Sequence, residues 1–298
     1  MKKSRKVWIG VGAFILVGGS TNSLPAAAPD GTSVTSEAQM QARAFEQGRA
    51  LQHLAQTMTL QSMTLGAGGE GGEGGEGGEA GIDVDAAAKD PVAYGVALQV
   101  IAAHYHAGLA AYAGKQQEAG AQMFAHGMSE VYAEMEELFK KLGVTDLGKK
   151  LEATIAAAND KKSPAEVKKR VSEVLVTLAF AAMKAPKSDL SVQAVRAQVA
   201  AELIDRAAAQ YPVAQKDKAN IEPYLDGLGF RMAAAEQAYA ILPWLNKQDP
   251  KKSKAVQDAI AKLGKAYPGL ARPEKPKVSE ADLLSAASAA KLAVSGLH

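Results

Sequence analysis

From residue 90 onward, apolar side chains recur at intervals of three and four residues, the spacing of one face of an α-helix. No segment alternates apolar and polar residues for a useful length, so β-strands are not expected. The spacing predicts an all-α fold, an up-and-down helical bundle whose helices are joined by short loops and lie antiparallel to their neighbours. The longest apolar stripe is formed by Ile221, Leu225, Leu228, Met232, Ala235, Tyr239 and Leu242.

Helix boundary signals agree with the apolar spacing. Asp90-Pro91 and Asp249-Pro250 each place an N-cap carboxylate before a proline at the first helical position. Residues 163–166 (SPAE) and 279–282 (SEAD) have the pattern of capping boxes. Aromatic residues make up only 5% of the chain and much of its apolar content is alanine, which suits helices that pack closely through small side chains.

The N-terminus has the pattern of a secretory signal over residues 1–28. A basic segment is followed by an apolar run at 7–19, and small residues suitable for cleavage stand at Ala26 and Ala28. The pattern predicts export, most simply into a bacterial periplasm. Two alternatives stay open, an uncleaved anchor formed by residues 7–19 and a former lipoprotein box at 16–20, in which Ser20 stands where the lipidated cysteine would be.

Four further segments follow the signal. Residues 29–65 are polar and compatible with a helix, and residues 66–81 contain four consecutive Gly-Gly-Glu triplets. Because glycine loses most backbone entropy on ordering and the carboxylates repel one another, 66–81 is predicted to be a flexible linker. Residues 82–270 form the predicted helical-bundle domain, and 271–298 a proline-rich connector with a C-terminal helix.

Charge and cysteine content exclude several function classes. The net charge of +2 provides no electrostatic case for a nucleic-acid partner. The absence of cysteine excludes disulfides, thiolate metal sites and a cysteine nucleophile. The sequence also lacks the G-x-S-x-G, H-E-x-x-H, P-loop and G-x-G-x-x-G motifs, so an enzyme is not predicted.

A candidate metal site lies in the stretch FAHGMSEVYAEMEELFKKLG, residues 124–143. His126 and Glu130 are four residues apart and share a helix face, and Glu134 or Glu137 could add a further oxygen ligand. On a wheel of about 100° per residue, this His/Glu stripe lies opposite the apolar stripe that begins at Phe124. The alternative interpretation is therefore a solvated acidic face.

The histidines of the preceding helix could complete such a site. His104 and His106 flank Tyr105, each about 100° from its apolar stripe and on opposite sides of it. Only one of them is expected to face the neighbouring helix and meet His126, while the other is an ordinary boundary histidine. Imidazole and carboxylate are the usual ligands when no thiolate is available, and the ion is predicted to be iron, zinc or copper. The predicted ligand set comprises His126, Glu130, His104, His106, Glu134 and Glu137.

The C-terminal half resembles a known family. AAELIDRAAAQYP at 200–212 and the segment 224–269, with its L-P-W-L motif and DP helix start, are similar to the last helices of imelysin-like proteins. This resemblance implies a helical bundle of two related halves, a periplasmic location and a link to metal, often iron. The family's G-x-H-x-x-E motif is absent, since the stretch from His126 to Glu130 is one residue longer, so no ligand is transferred from it.

Two hypotheses follow for the whole chain. The first is an exported helical protein that binds a metal ion, iron first, or a metal-bearing ligand for uptake or handling, with a possible inner-membrane or envelope partner protein. The second is a non-catalytic structural or protein-interaction component of the bacterial cell envelope, for which the Gly-Gly-Glu segment is a tether.

Overall fold

The computed structural model describes residues 81–298. The predictions for the signal at 1–28, the polar segment at 29–65 and nearly all of the Gly-Gly-Glu linker lie outside the described residues. Within 81–298 every regular element is helical and no strand is present, so the predicted all-α fold is confirmed. None of the helices in this range is both long enough and apolar enough to cross a membrane.

Most helices follow one another with short connections, the longest connection being 267–279, and the predicted caps are present. The Asp90 carboxylate accepts a hydrogen bond of 2.8 Å from the Val92 amide, and Asp249 caps its helix in the same way. Ser163 and Ser279 each accept a hydrogen bond from the amide three residues later. The elements are α1 Val84–Ala87, α2 Pro91–Ala113, α3 Gln117–His126, a π-helical segment Gly127–Tyr132, α4 Ala133–Lys141, α5 Leu147–Asn159, α6 Pro164–Ala182, α7 Val192–Lys216, α8 Glu222–Gln248, α9 Pro250–Ala266 and α10 Glu280–Val294.

Helices α2 and α8 form the centre of the described structure. Most residues of α2 are buried on all sides of the helix, and α2 packs against α3, α6, α7 and α8. Helix α8 is buried from Tyr224 to Ala238. A helix that is apolar all round belongs in a core rather than at a surface. Polar side chains on these two helices are therefore buried. A buried polar group is costly unless it forms a hydrogen bond or an ion pair.

The last four helices pack together as a bundle. Helix α7 packs against α8 and α10, and α9 packs against the same two helices. The connector before α10 is held by Arg272, whose guanidinium lies over the Tyr224 ring and donates a 2.7 Å hydrogen bond to the Asn220 carbonyl. Tyr267 is buried inside this bundle, and its hydroxyl donates a 2.9 Å hydrogen bond to the Ala207 carbonyl oxygen.

Helices α2 and α3 form a hairpin in which the two backbones touch. A Cβ atom at Gly120 would lie 2.7 Å from the Gly108 carbonyl oxygen and 2.8 Å from the Tyr112 amide nitrogen. Real Cβ atoms do not approach backbone atoms this closely, and backbone cannot rotate away as a side chain can. Glycine at these two positions therefore sets the distance between the helices that carry His104 and His126.

We expect Gly120→Ala to lower the free energy of unfolding by about 1–3 kcal/mol, because the added methyl group must push α3 away from α2. Urea unfolding followed by circular dichroism measures this change. The matched control is Gly264→Ala on α9, where the nearest atom to an added Cβ is 3.8 Å away. That substitution should stabilise the helix by about 0.5 kcal/mol. Equal stability of Gly120→Ala and the wild type would contradict the close approach.

Candidate metal centre

The α2–α3 hairpin brings His104 and His126 together. Their imidazole rings meet edge to face, with the ring centroids 6.1 Å apart. His104 is the member of the α2 histidine pair that faces the next helix. It is only 2% exposed, because α3 and α8 both cover it, whereas His126 at the end of α3 is half-buried.

The π-helical segment Gly127–Tyr132 begins directly after His126. A π-helix has more residues per turn than an α-helix, so the positions after it move round the helix relative to a wheel of about 100° per residue. Gly127 lies against α2 at this point, since a Cβ on it would be 3.2 Å from the Cβ of His104. The His126–Glu130 face lies opposite the apolar stripe, as the wheel indicates, but it is half-buried because His104 of α2 and Glu222 of α8 lie against it.

Glu130 stands between the two imidazoles. Its Oε2 lies 3.5 Å from Nε2 of His104, and its Oε1 lies 3.3 Å from Nδ1 of His126. One carboxylate thus touches both rings with its two oxygens. This arrangement brings together three of the residues that the sequence singled out.

Helix α8 supplies two further carboxylates that the sequence argument missed. Asp226 Oδ1 lies 3.7 Å from Nε2 of His104, and Glu222 Oε1 lies 3.5 Å from Nδ1 of His126. Asp226 is only 7% exposed. Two features of the sequence point to these residues. Glu222 and Asp226 are four residues apart and so share one helix face, and Asp226 follows Leu225 inside the longest apolar stripe. A carboxylate buried in such a stripe demands a partner.

The ring of His104 is oriented by a hydrogen bond to the backbone. Its Nδ1 lies 2.9 Å from the Val100 carbonyl oxygen, which can only accept, so Nδ1 carries the proton and Nε2 presents a lone pair to the carboxylates. Burial, followed by the nearby His126 and Arg206, lowers the pKa of His104 to about 3, although the Val100 contact opposes this. A neutral imidazole held by a second hydrogen bond is the form that binds a metal ion.

The remaining sequence-predicted residues lie elsewhere. His106 faces a different side of α2, where its Nε2 is 3.7 Å from Oε2 of Glu236. Glu137 is on the surface, 74% exposed, and pairs with Lys140 at 3.0 Å. Glu134 is half-buried on the same helix and is not among the side chains whose ligand atoms converge. The structure thus brings His104, His126 and Glu130 together, with Asp226 and Glu222 beside them.

The separations are near those that a single ion requires. His104, His126 and Asp226 each offer one ligand atom, and these atoms lie within 4.8 Å of one another. Ligands at about 2.1 Å from a metal are roughly 3.4 Å apart in a tetrahedral site and roughly 3.0 Å apart in an octahedral one. The contacts of 3.3 Å and 3.5 Å that Glu130 makes with the two imidazoles are close to these values.

One comparison with known proteins gives a match. Residues 186–297 match the model of the iron permease-associated four-helix bundle domain. This range contains α7 to α10, the four helices that pack as a bundle. It also contains the segments 200–212 and 224–269 on which the imelysin-like resemblance depended, and it supports the coarser part of that resemblance, a helical domain associated with iron uptake. No curated protein and no solved structure matches the chain.

The buried His104 predicts a specific pH dependence of the metal-free protein. Between the ordinary pKa of 6.5 and the lowered value of about 3, the unfolded chain binds a proton at His104 that the folded chain does not. The free energy of unfolding therefore falls as the pH falls through this window, by at most about 1.4 kcal/mol per pH unit from this residue.

We expect His104→Gln to lose this component, so that its free energy of unfolding decreases less than that of the wild type when the pH is lowered from neutral to about 5. Urea unfolding at both pH values, with a chelator present, measures the difference. If the two proteins lose stability in parallel, His104 is not buried in its neutral form.

Proposed function

We propose that this protein binds a metal ion, iron in the first place, at the cluster of His104, His126, Glu130 and Asp226, and that it handles this ion as a non-enzymatic component of bacterial iron uptake. The observation that carries the proposal is the convergence of two imidazoles and the Asp226 carboxylate, with ligand atoms within 4.8 Å of one another. These residues come from α2, the α3–π junction and α8, so the cluster is assembled by the tertiary structure.

The chemistry of the donor set favours a borderline or hard divalent ion. Two imidazole nitrogens with carboxylate oxygens suit iron and zinc, whereas copper(I) prefers thioether and thiolate sulfur. The carboxylates of Glu130 and Asp226 both lie within 3.7 Å of Nε2 of His104, and their negative charges favour a cation at this point. Affinity alone would not choose iron over zinc, and the choice of iron is supported by the match of residues 186–297 to a domain associated with iron permeases.

The burial of the ligands changes from one side of the cluster to the other. His104 and Asp226 are 2% and 7% exposed, while Glu222 is 36% exposed at the outer edge. The Glu222 carboxylate accepts a 3.4 Å hydrogen bond from Gln122, which holds it towards His126. An ion could therefore meet Glu222 first and reach the deeper ligands from there. Such a half-open site suits binding and release better than permanent structural retention.

We place the protein outside the cytoplasm, beside a membrane permease as its partner. The secretory pattern of residues 1–28 supports export, and the four-helix bundle match supports a link to an iron permease. Binding and transfer, rather than catalysis, fits a sequence in which no nucleophile motif is found.

The test is a titration of the purified protein with Zn²⁺, and with Fe²⁺ under anaerobic conditions, followed by calorimetry and by the melting temperature. An ion that binds the folded chain raises the melting temperature by mass action. We expect Asp226→Asn and His126→Gln each to weaken binding by about ten-fold or more, because each removes a direct ligand.

The matched control is Glu137→Gln, which changes an acidic residue of the neighbouring helix that lies outside the cluster, and it should bind metal as the wild type does. A wild type that binds neither ion would exclude the proposal and favour a purely structural envelope protein. Equal losses in Asp226→Asn and Glu137→Gln would show that binding is non-specific attraction to acidic residues.

A further inference from the structure

A second candidate site, a cavity, lies on a different face of α2. A cavity of 430 Å³ opens between α2, α6, α7 and α8 and the connection from α6 to α7. This volume is within the range of roughly 300–1,000 Å³ that is usual for small-molecule sites. Its walls are mainly apolar, and they include Tyr94, Leu98, Leu175, Leu178, Leu190 and Val199.

The wall of this cavity contains two buried oxygen acceptors. Oε2 of Glu236 and Oε1 of Gln99 are both buried and make no hydrogen bond with the described residues. Glu236 is only 8% exposed, and both residues line the cavity. A buried acceptor without a donor costs about 1–3 kcal/mol, and a charged one costs more. Two of them in the wall of one cavity therefore indicate a ligand that donates hydrogen bonds.

The neighbouring side chains do not form a hydrogen bond with Oε2 of Glu236. His106 is the closest, with Nε2 3.7 Å from Oε2 of Glu236, and neither of its ring nitrogens makes a hydrogen bond. Arg196 also lines the cavity, but its Nε donates to Oε1 of Gln237 at 3.1 Å. Glu236 and Arg196 thus both line the cavity, and the Arg196 guanidinium is engaged by a neutral amide rather than by the carboxylate.

The outer part of the cavity is apolar. Met183 and Val192 belong to its lining and are both exposed. Apolar side chains in contact with water at the mouth of an apolar cavity favour a ligand whose body is also apolar. The cavity therefore combines an apolar approach with an inner carboxylate.

We propose that this cavity binds an amphipathic aliphatic amine, with its apolar body among the leucines and its ammonium group donating to Glu236 and Gln99. An ammonium group satisfies both acceptors and matches the charge of the carboxylate. The proposal does not depend on the metal function, since none of the residues of the metal cluster lines the cavity.

The test compares decylamine, decanol and decanoate, which share one chain length and differ in the head group. Each is titrated into the full-length protein below its micelle concentration, and binding is measured by calorimetry. We expect the affinity to fall in the order amine, alcohol, acid. Glu236→Gln should lower the affinity for decylamine by about ten-fold, because the charge-assisted hydrogen bond is lost. The variant should then bind decylamine no more tightly than decanol.

Two more variants keep the result decisive. Ala179→Trp places a bulky ring in the cavity wall and should abolish binding of all three probes, even if Glu236→Gln does not fold. Glu173→Gln, on the same helix as Ala179 but outside the lining, is the matched control and should bind decylamine normally. Binding of decanoate as tight as that of decylamine, or binding of none of the three, overturns the proposal. So does undiminished decylamine binding by Ala179→Trp.

Discussion

The close packing of α2 against its neighbours is the constraint on which the rest of the described structure depends. Gly120 lets the α3 backbone touch α2, and a Cβ at Gly229 of α8 would lie 3.1 Å from the Ala103 carbonyl carbon. Both approaches are close to His104. Because small residues allow two helices to come this near, a histidine of α2 is sealed from water yet within reach of side chains from both partners. Larger residues would separate the helices and let water in.

Both histidines of α2 are buried, and α8 places a carboxylate beside each of them. His104 is matched by Asp226, and His106 by Glu236, at separations of 3.7 Å in both cases. The two pairs differ in what else surrounds them. The first is joined by His126 and Glu130 and becomes a cluster of ligands, whereas the second borders an apolar cavity. Similar residue pairs therefore underlie both proposals, a metal ion on one side of the helix and an organic amine on the other.

The candidate metal centre is shared between the matched bundle and the helices that precede it. Asp226 and Glu222 lie inside the range that matches the iron permease-associated domain, while both imidazoles lie before it. The four-helix bundle thus contributes oxygen ligands alone. In the proposed site, α2 and α3 add the nitrogen ligands, and imidazole nitrogen favours transition metals over calcium or magnesium.

The sequence by itself determined the helices, their caps and two members of the candidate site, His126 and Glu130. Apolar spacing and the Asp-Pro and Ser-x-x-acid patterns are local, so they can be predicted without knowing what a helix packs against. His126 and Glu130 were found because both lie on one turn of one helix. Only the tertiary structure decided between His104 and His106, inserted the π-helical segment after His126 and brought Asp226 to the cluster. These depend on which distant helix covers which face, and a periodic pattern within one helix does not contain that information.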